Sequence, residues 1–236
     1  MFTLKTPAKI NWSLCVFGKR DDGYHEISSL MQSISLYDHL VFTDSDSIDV
    51  ITDADIPLEE NLIYRAAVLL RDKCSVKKGA VITLKKEIPV AAGLGGGSSD
   101  AACALKGLNR LWNLGKSNKD LCSLGAMLGS DIPFFFNGSF ASVEGRGEIV
   151  KPLKTFSSHT LLLVKPQIGV STKWAYSEIS KLLTNFTDRG NNIEFLCHAL
   201  NKQDFRAISG MIVNDLETPV IKKFGIIGEL KERLLA

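Results

Sequence analysis

The residues with the clearest chemical potential form one glycine-rich run, Pro89-Val90-Ala91-Ala92-Gly93-Leu94-Gly95-Gly96-Gly97-Ser98-Ser99. Glycines let successive backbone N–H groups converge without Cβ interference, and a helix that follows them points its positive end at the same place. The run therefore predicts a phosphate-binding loop, with a flexible turn before a helix as the alternative. Either Ser98 or Ser99 is expected to cap that helix.

The run is neither of two common phosphate-binding motifs. No Lys-Ser/Thr pair ends it, as a Walker loop requires, and the third glycine of a dinucleotide fingerprint is missing. Asp100 follows directly, and a carboxylate there suits the helix dipole but repels phosphate unless it faces away or holds Mg²⁺. We expect Asp100 to be a surface residue that complements the dipole.

Three segments, in order, carry a resemblance to a known family. The glycine-rich run resembles the second motif of the GHMP kinase superfamily. Residues 7–11, with residues 18–26 behind them, resemble the N-terminal signature of the 4-diphosphocytidyl-2-C-methyl-D-erythritol kinases within that superfamily, and residues 129–135 resemble their acidic motif. The resemblance extends from residue 1 to about residue 176.

The resemblance implies an activity. It implies transfer of phosphate from ATP, with Mg²⁺, to the 2-hydroxyl of a cytidine diphosphate methylerythritol, a step of the non-mevalonate route to isoprenoids. Asp131 would accept the hydroxyl proton, and Lys9 beside it would supply positive charge and keep the carboxylate ionised. Without the resemblance, Asp131 is interpreted as a turn residue and Lys9 as a solvent-facing lysine on a strand edge.

The resemblance also implies a pocket for the cytosine. Tyr24 would stack on one face of the base, Tyr176 would close the other face, and His25 would recognise the base edge. Asn11 and Thr172 are the further substrate-binding positions that it implies. Without it, Tyr24 is an ordinary turn aromatic and Tyr176 is a residue of a helix core.

Asn61 and Lys86 match positions near the adenosine pocket of the family and are predicted to bind nucleotide. The alternative is that both are surface residues, one at a helix start and one at a strand end. No metal-ligating residues are predicted, because the histidines that remain stand alone in the sequence: His39, His159 and His198.

Composition excludes several classes of protein. The 236 residues are 45% hydrophobic and 23% charged, which is typical of a globular chain and not of a disordered one. The net charge of +2 and the lack of a dense basic run argue against a nucleic acid partner. No apolar run approaches the roughly 18 residues of a spanning helix, and the five cysteines are scattered. We expect a cytoplasmic protein without a membrane partner, either a monomer or a homodimer.

The elements that must position these residues occur in mixed order, which predicts an α+β fold. The resemblance implies a two-domain GHMP kinase fold. Residues 1–151 would form an ATP-binding N-terminal domain like domain 2 of ribosomal protein S5, and residues 152–236 an incomplete α+β C-terminal domain. Patterning predicts the following elements: a strand over 2–16 broken at Pro7, a helix near 62–70, a strand over 80–84, a helix opened by Ser117 with Asp120 three residues on and ended at Gly129, a hairpin over 134–150 turning at Gly138 with another turn at 145–147, a buried strand over 161–164, and helices over 173–183, 193–200 and 226–235.

Two other functions stay open at this point. The family continues beyond a helix like the one predicted over residues 228–235, with a third glycine-rich motif and further strands. The 236 residues contain neither, so a catalytically silent nucleotide-binding protein is one alternative. Another small-molecule kinase of the superfamily, acting on homoserine or mevalonate, is the second. Residues 23–25, Gly-Tyr-His, argue against the second, because acceptors without a base do not need these aromatic rings.

Overall fold

The computed structural model of the chain describes residues 1–154, 158–182 and 193–235. The strands among these residues are β1 (Phe2–Lys19), β2 (His25–Ser45), β3 (Ile48–Thr52), β4 (Gly79–Lys85), β5 (Phe140–Gly145), β6 (Ile149–Pro152) and β7 (Val213–Asn214). The helices are α1 (Leu62–Lys73), α2 (Gly96–Leu111), α3 (Asn118–Ala126), α4 (Phe134–Asn137), α5 (Thr172–Leu182), α6 (Ile193–Lys202), α7 (Phe205–Met211), α8 (Glu217–Lys223) and α9 (Gly225–Leu235). The α+β prediction is confirmed. No helix within the described ranges is both long and apolar enough to cross a membrane.

One mixed sheet organises the molecule around the β1–β2 hairpin. Its order is β3-β4-β2-β1-β7, and β5 pairs with the N-terminal half of β2 and with β6. The predicted break at Pro7 does not occur. The register instead shifts between Pro7 and Ala8, because proline, which cannot donate a ladder hydrogen bond, is accommodated at a bulge.

The main core lies between the sheet and helices α1 to α3. Phe42 of β2 is fully buried in it, together with Leu105 and Leu108 of α2. Gly107 lets α2 approach the sheet closely, since a Cβ there would lie 2.2 Å from the Phe42 ring. The sheet therefore fixes the position of α2, and with it the glycine-rich run at the N-terminus of that helix.

The second half of the chain packs on the same long strands. Leu196, Leu200 and Ile208 of α6 and α7 form a cluster with Trp12 and Phe140 of the sheet. In a third cluster, the buried Ile179 of α5 packs against apolar residues of β1 and β2. Strand β7 pairs in parallel with β1, so residues on both sides of the predicted boundary at 151–152 contribute to one sheet.

Several predicted elements are wrong or incomplete. Residues 134–137 form helix α4 and not a strand, so the predicted reversal at Gly138 is wrong. The chain reverses between β5 and β6, where the second turn was predicted, at residues 145–147. The predicted buried strand over 161–164 does not form: these residues belong to no regular element, pair with no described strand and are exposed, with Leu162 at 79%. Strand β7 and helices α7 and α8 were not predicted. Residue 183, the predicted end of one helix, lies outside the described ranges.

Candidate active site

The glycine-rich run contains three alternate residues with a left-handed backbone conformation. Ala91, Gly93 and Gly95 have φ angles of 53°, 72° and 68°. Lys9 of β1 donates its backbone N–H to the Leu94 carbonyl at 2.9 Å, and Val170 donates to the Ala91 carbonyl at 3.0 Å. The loop is thus held by the sheet on one side and by the segment before α5 on the other.

The helix after the loop begins earlier than predicted. Gly95 is the N-cap of α2, so Ser98 and Ser99 lie within the first turn and neither caps the helix. The Ser99 hydroxyl is buried and has no hydrogen-bond partner in the described structure. A left-handed glycine loop, a helix N-terminus and an unpartnered hydroxyl together suit a phosphate group.

Lys9 lies between this loop and the acidic motif. Its side chain packs under the loop so closely that a Cβ on Gly95 would be 2.8 Å from the Lys9 Cγ. The residue is only 7% exposed, and its ammonium donates to Asn11 Oδ1 at 2.7 Å and lies 3.7 Å from Asp131 Oδ2. Asn11 is oriented in turn by the Ser29 hydroxyl, which accepts from its amide. The structure therefore brings together the two residues predicted to carry the chemistry.

The Asp131 carboxylate is the accessible member of this group, with 39% of its side chain exposed. Asp131 lies in the turn segment between α3 and α4, where the completely buried Ile132 and Phe134 anchor the motif. A carboxylate that faces solvent beside a buried ammonium can accept a proton from a bound hydroxyl.

A buried ionic network lies beneath the start of α2. The Lys86 ammonium donates to Asp38 Oδ2 at 2.5 Å and to Asp100 Oδ2 at 2.9 Å, and the Thr6 hydroxyl donates to Asp100 Oδ1 at 2.6 Å. Asp38 also accepts the backbone N–H groups of Glu87 and Ile88.

This network shows that one prediction is wrong and excludes one alternative interpretation. Asp100 is 2% exposed, so it is not a surface residue, and both of its oxygens are engaged, so it is not placed to hold Mg²⁺. Lys86 is not a surface residue either, because its side chain is almost completely enclosed. Burial raises the pKa of Asp100 to about 6, an effect that the Lys86 charge opposes.

The aromatic residues predicted for the base lie at one end of the site. The His25 ring stacks on Tyr176 at 5.2 Å with an interplanar angle of 27°, and its Nε2 lies 2.5 Å from the Ser180 hydroxyl. Burial lowers the pKa of His25, and burial together with the Asp131 charge raises that of Tyr176. In this structure the Tyr176 ring faces His25, and Tyr24 is 49% exposed.

Two other predicted residues lie at helix starts. Asn61 is buried and caps α1, where its Oδ1 accepts the Ile63 N–H at 2.9 Å. It is therefore not the surface residue of the alternative interpretation. Thr172 is the first residue of α5 and is exposed, four residues before Tyr176.

Sequence reasoning missed one cation near these residues. Arg146 lies in the turn between β5 and β6, and its guanidinium carbon is 4.8 Å from the centre of the Tyr24 ring. In the sequence, this segment was identified as a turn from its glycines alone. Pairing of β2 with β5, which joins Ile27 to Gly145, brings the two turns together, and a single sequence does not reveal that pairing.

No group of three or more His, Cys, Asp or Glu side chains that could hold a metal ion occurs in residues 1–154, 158–182 and 193–235.

Comparison with known proteins agrees with this arrangement. Residues 61–139 match the family model "GHMP kinases N terminal domain". The chain is 49% identical to the 4-diphosphocytidyl-2-C-methyl-D-erythritol kinase of Thermodesulfovibrio yellowstonii, over 100% of this chain and 83% of that protein.

Solved structures show the same relationship. A crystal structure of 4-(cytidine 5'-diphospho)-2C-methyl-D-erythritol kinase superposes with a TM-score of 0.77 at 33% identity, covering 98% of this chain and 82% of that one. The phosphomevalonate kinase of Streptococcus pneumoniae shares the fold, with a TM-score of 0.62 at 17% identity over 90% of this chain and 76% of that one. The 49% identity to the Thermodesulfovibrio yellowstonii kinase extends along the whole chain. The chain therefore belongs to the 4-diphosphocytidyl-2-C-methyl-D-erythritol kinase family of GHMP kinases.

Proposed function

We propose that this chain transfers the γ-phosphoryl group of ATP to the 2-hydroxyl of 4-diphosphocytidyl-2-C-methyl-D-erythritol. The observation that carries the proposal is the position of Lys9, whose side chain lies against Gly95 of the glycine loop and whose ammonium lies 3.7 Å from Asp131. The residue thus connects a site suited to phosphate with a carboxylate suited to accept a proton.

In the proposed reaction, the loop from Pro89 to Ser99 binds the ATP phosphates through backbone N–H groups and the positive end of α2. The substrate hydroxyl oxygen forms a bond to the γ-phosphorus as the bond to the β–γ bridging oxygen breaks, and ADP leaves. Asp131 accepts the hydroxyl proton, and the Lys9 ammonium stabilises the negative charge on the transferred group.

The base of the substrate is bound at the other end of the site. Tyr24 offers an exposed ring face for stacking, and His25 recognises the base edge together with its backbone. Tyr176 closes the pocket once the His25 ring yields its stacked position to the base. Asn11 orients Lys9 and contacts the substrate, and Thr172 lies at the pocket entrance.

The remaining assignments follow from the same proposal. Asn61 and Lys86 contribute to nucleotide binding, Asn61 through the start of α1 and Lys86 by supporting the loop from below. Mg²⁺ bound with ATP would supply positive charge that neutralises the phosphates, and the nucleotide phosphates would be its main ligands. The protein acts in the cytoplasm as a monomer or homodimer, with a C-terminal domain over residues 152–236.

Single-turnover transfer from γ-labelled ATP, with protein in excess over substrate, tests the proposal. We expect labelled product with the cytidine substrate and none with homoserine or mevalonate. Binding of both ligands without transfer would identify a silent nucleotide-binding protein, and transfer to mevalonate or homoserine would identify another kinase of the superfamily.

A further inference from the structure

The turn between β5 and β6 joins the two ends of the site. Its backbone is a tight turn, in which Gly145 and Gly147 take left-handed φ angles of 72° and 117°, the Gly147 N–H donates to the Glu144 carbonyl at 3.1 Å, and the Arg146 N–H donates to Glu148 Oε2 at 2.8 Å. These hydrogen bonds use backbone N–H groups and not the Arg146 side chain, so we expect the turn to keep its shape when that side chain is replaced.

This turn contacts both the base side and the reaction side. The Arg146 guanidinium lies over the Tyr24 ring, at a distance typical of a cation–π contact. At the next residue, a Cβ on Gly147 would lie 3.3 Å from Ser130, the residue before Asp131. Arg146 thus lies on the wall that connects Tyr24 with the acidic motif.

The charge of Arg146 is not used elsewhere in the described structure. Arg20, in the neighbouring turn, is neutralised by Asp22 and Glu26. Arg146 forms no ion pair with a carboxylate of residues 1–154, 158–182 or 193–235, although it is partly buried. A partly buried guanidinium without a carboxylate retains N–H donors for an anionic ligand.

We infer that Arg146 binds the diphosphate of the substrate while it supports the Tyr24 ring. The inference rests on the proposed function, in which the cytosine stacks on Tyr24 and the reacting hydroxyl reaches Asp131. A diphosphate joins these two parts of the substrate, so it must lie along the surface between Tyr24 and the acidic motif, where Arg146 is located. The planar guanidinium matches two phosphate oxygens, which makes arginine well suited to this position.

Calorimetric titration with cytidine 5′-diphosphate and with cytidine, both in saturating ADP, tests the inference. We expect Arg146→Met to weaken the diphosphate by about 10- to 100-fold, the effect of losing hydrogen bonds to a charged group, and to weaken cytidine several-fold less. Arg20→Met is the matched control, because its charge is already neutralised in the adjacent turn, and it should change neither affinity by more than about twofold.

Kinetics give an independent readout of the same role. Arg146→Met should raise the KM for the cytidine substrate and leave the KM for ATP and the melting temperature unchanged. Equal losses for diphosphate and nucleoside, or none, with the parent protein binding both, would overturn the role of Arg146 and leave the proposed function intact. A parent protein that binds neither ligand would overturn the proposed function and this inference with it.

Discussion

Asp131 has an accessible carboxylate, whereas the ammonium beside it is buried. We predict that Asp131→Asn lowers kcat by about 10²- to 10⁴-fold and leaves ATP affinity within a few-fold, because a general base acts in the transition state and not in nucleotide binding. Single-turnover rates and ATP titrations measure the two effects. Turnover equal to that of the parent would remove Asp131 from the mechanism.

Tyr24 is the residue on which base recognition can be tested without disturbing the core, since about half of its surface is exposed. Tyr24→Ala should cost about 1–3 kcal/mol in binding of cytidine diphosphate, the range for one base–aromatic stack. Uridine diphosphate, whose base edge exchanges donor and acceptor, should bind the parent more weakly. Equal affinities for the two nucleotides, or a fall in melting temperature without a change in affinity, would contradict the pocket.

Asp100 gives a pH dependence whose sign follows from its environment. Its pKa rises from 3.8 to about 6 on folding, so the folded protein holds more protons than the unfolded chain between these values. Raising the pH from about 4 to about 6 therefore removes stability at this group. The Asp100→Asn variant lacks this group, so its free energy of unfolding should fall less than that of the parent as the pH rises from about 4 to about 6. Denaturant titrations at each pH measure the difference.

Asp120 supplies the matched control, because its hydrogen bonds with Ser117 lower its pKa. A lowered pKa means that the parent gains free energy of unfolding as Asp120 ionises with rising pH. Asp120→Asn lacks this gain, so its stability relative to the parent should fall with rising pH, opposite to that of Asp100→Asn. The same slope for both variants would show that a general charge effect, and not the buried network, controls the pH dependence.

At the scale of the elements, the first two residues of α2, Gly96 and Gly97, differ in the space that their surroundings leave for a side chain. A Cβ on Gly96 would lie 2.9 Å from the Lys86 ammonium and 3.0 Å from Ile88 Cγ2, whereas one on Gly97 would make an ordinary 3.6 Å contact with Leu62. We predict that Gly96→Ala lowers the free energy of unfolding by about 1–3 kcal/mol and that Gly97→Ala does not. Thermal melting compares the two, and equal melting temperatures would contradict the inward orientation of Gly96.

Local patterns predicted elements well where the signal was local. The capping box of Ser117 and Asp120 at the start of α3 is confirmed. Ser98 and Ser99 failed as caps because the left-handed Gly95 starts the helix first. The apolar run at 161–164 indicates a tendency to be buried but carries no information about which strand would pair with it.

The pair of Lys9 and Asp131 could not be derived from spacing, because the fold alone brings these distant residues together. Resemblance to a family supplied the expectation, and the geometry agrees with it. Residues that no family motif marked were missed for the same reason: Thr6 and Asp38 of the buried network, and Arg146 beside Tyr24.

At the scale of the whole molecule, α6 and α7 share a core with the sheet that carries the site. Leu200 is almost completely buried there with Trp12 and Phe140. Leu200→Ala should lower the free energy of unfolding by about 2–5 kcal/mol, and the transitions followed by tryptophan fluorescence and by circular dichroism should still coincide. Two separated transitions would mean that the two halves of the chain unfold independently.

Lys9 also has a consequence for the precision of the site. Its backbone N–H donates to the Leu94 carbonyl of the glycine loop, and its ammonium lies beside Asp131. One residue of β1 therefore contacts both the loop proposed to bind ATP and the carboxylate proposed to accept the proton. We therefore expect a displacement of β1 to move the loop that binds the phosphoryl donor and the carboxylate that accepts the proton in the same direction, with little change in the distance between them. In the proposed reaction, we expect motion of the surrounding helices to have little effect on the in-line alignment of the substrate hydroxyl with the γ-phosphoryl group.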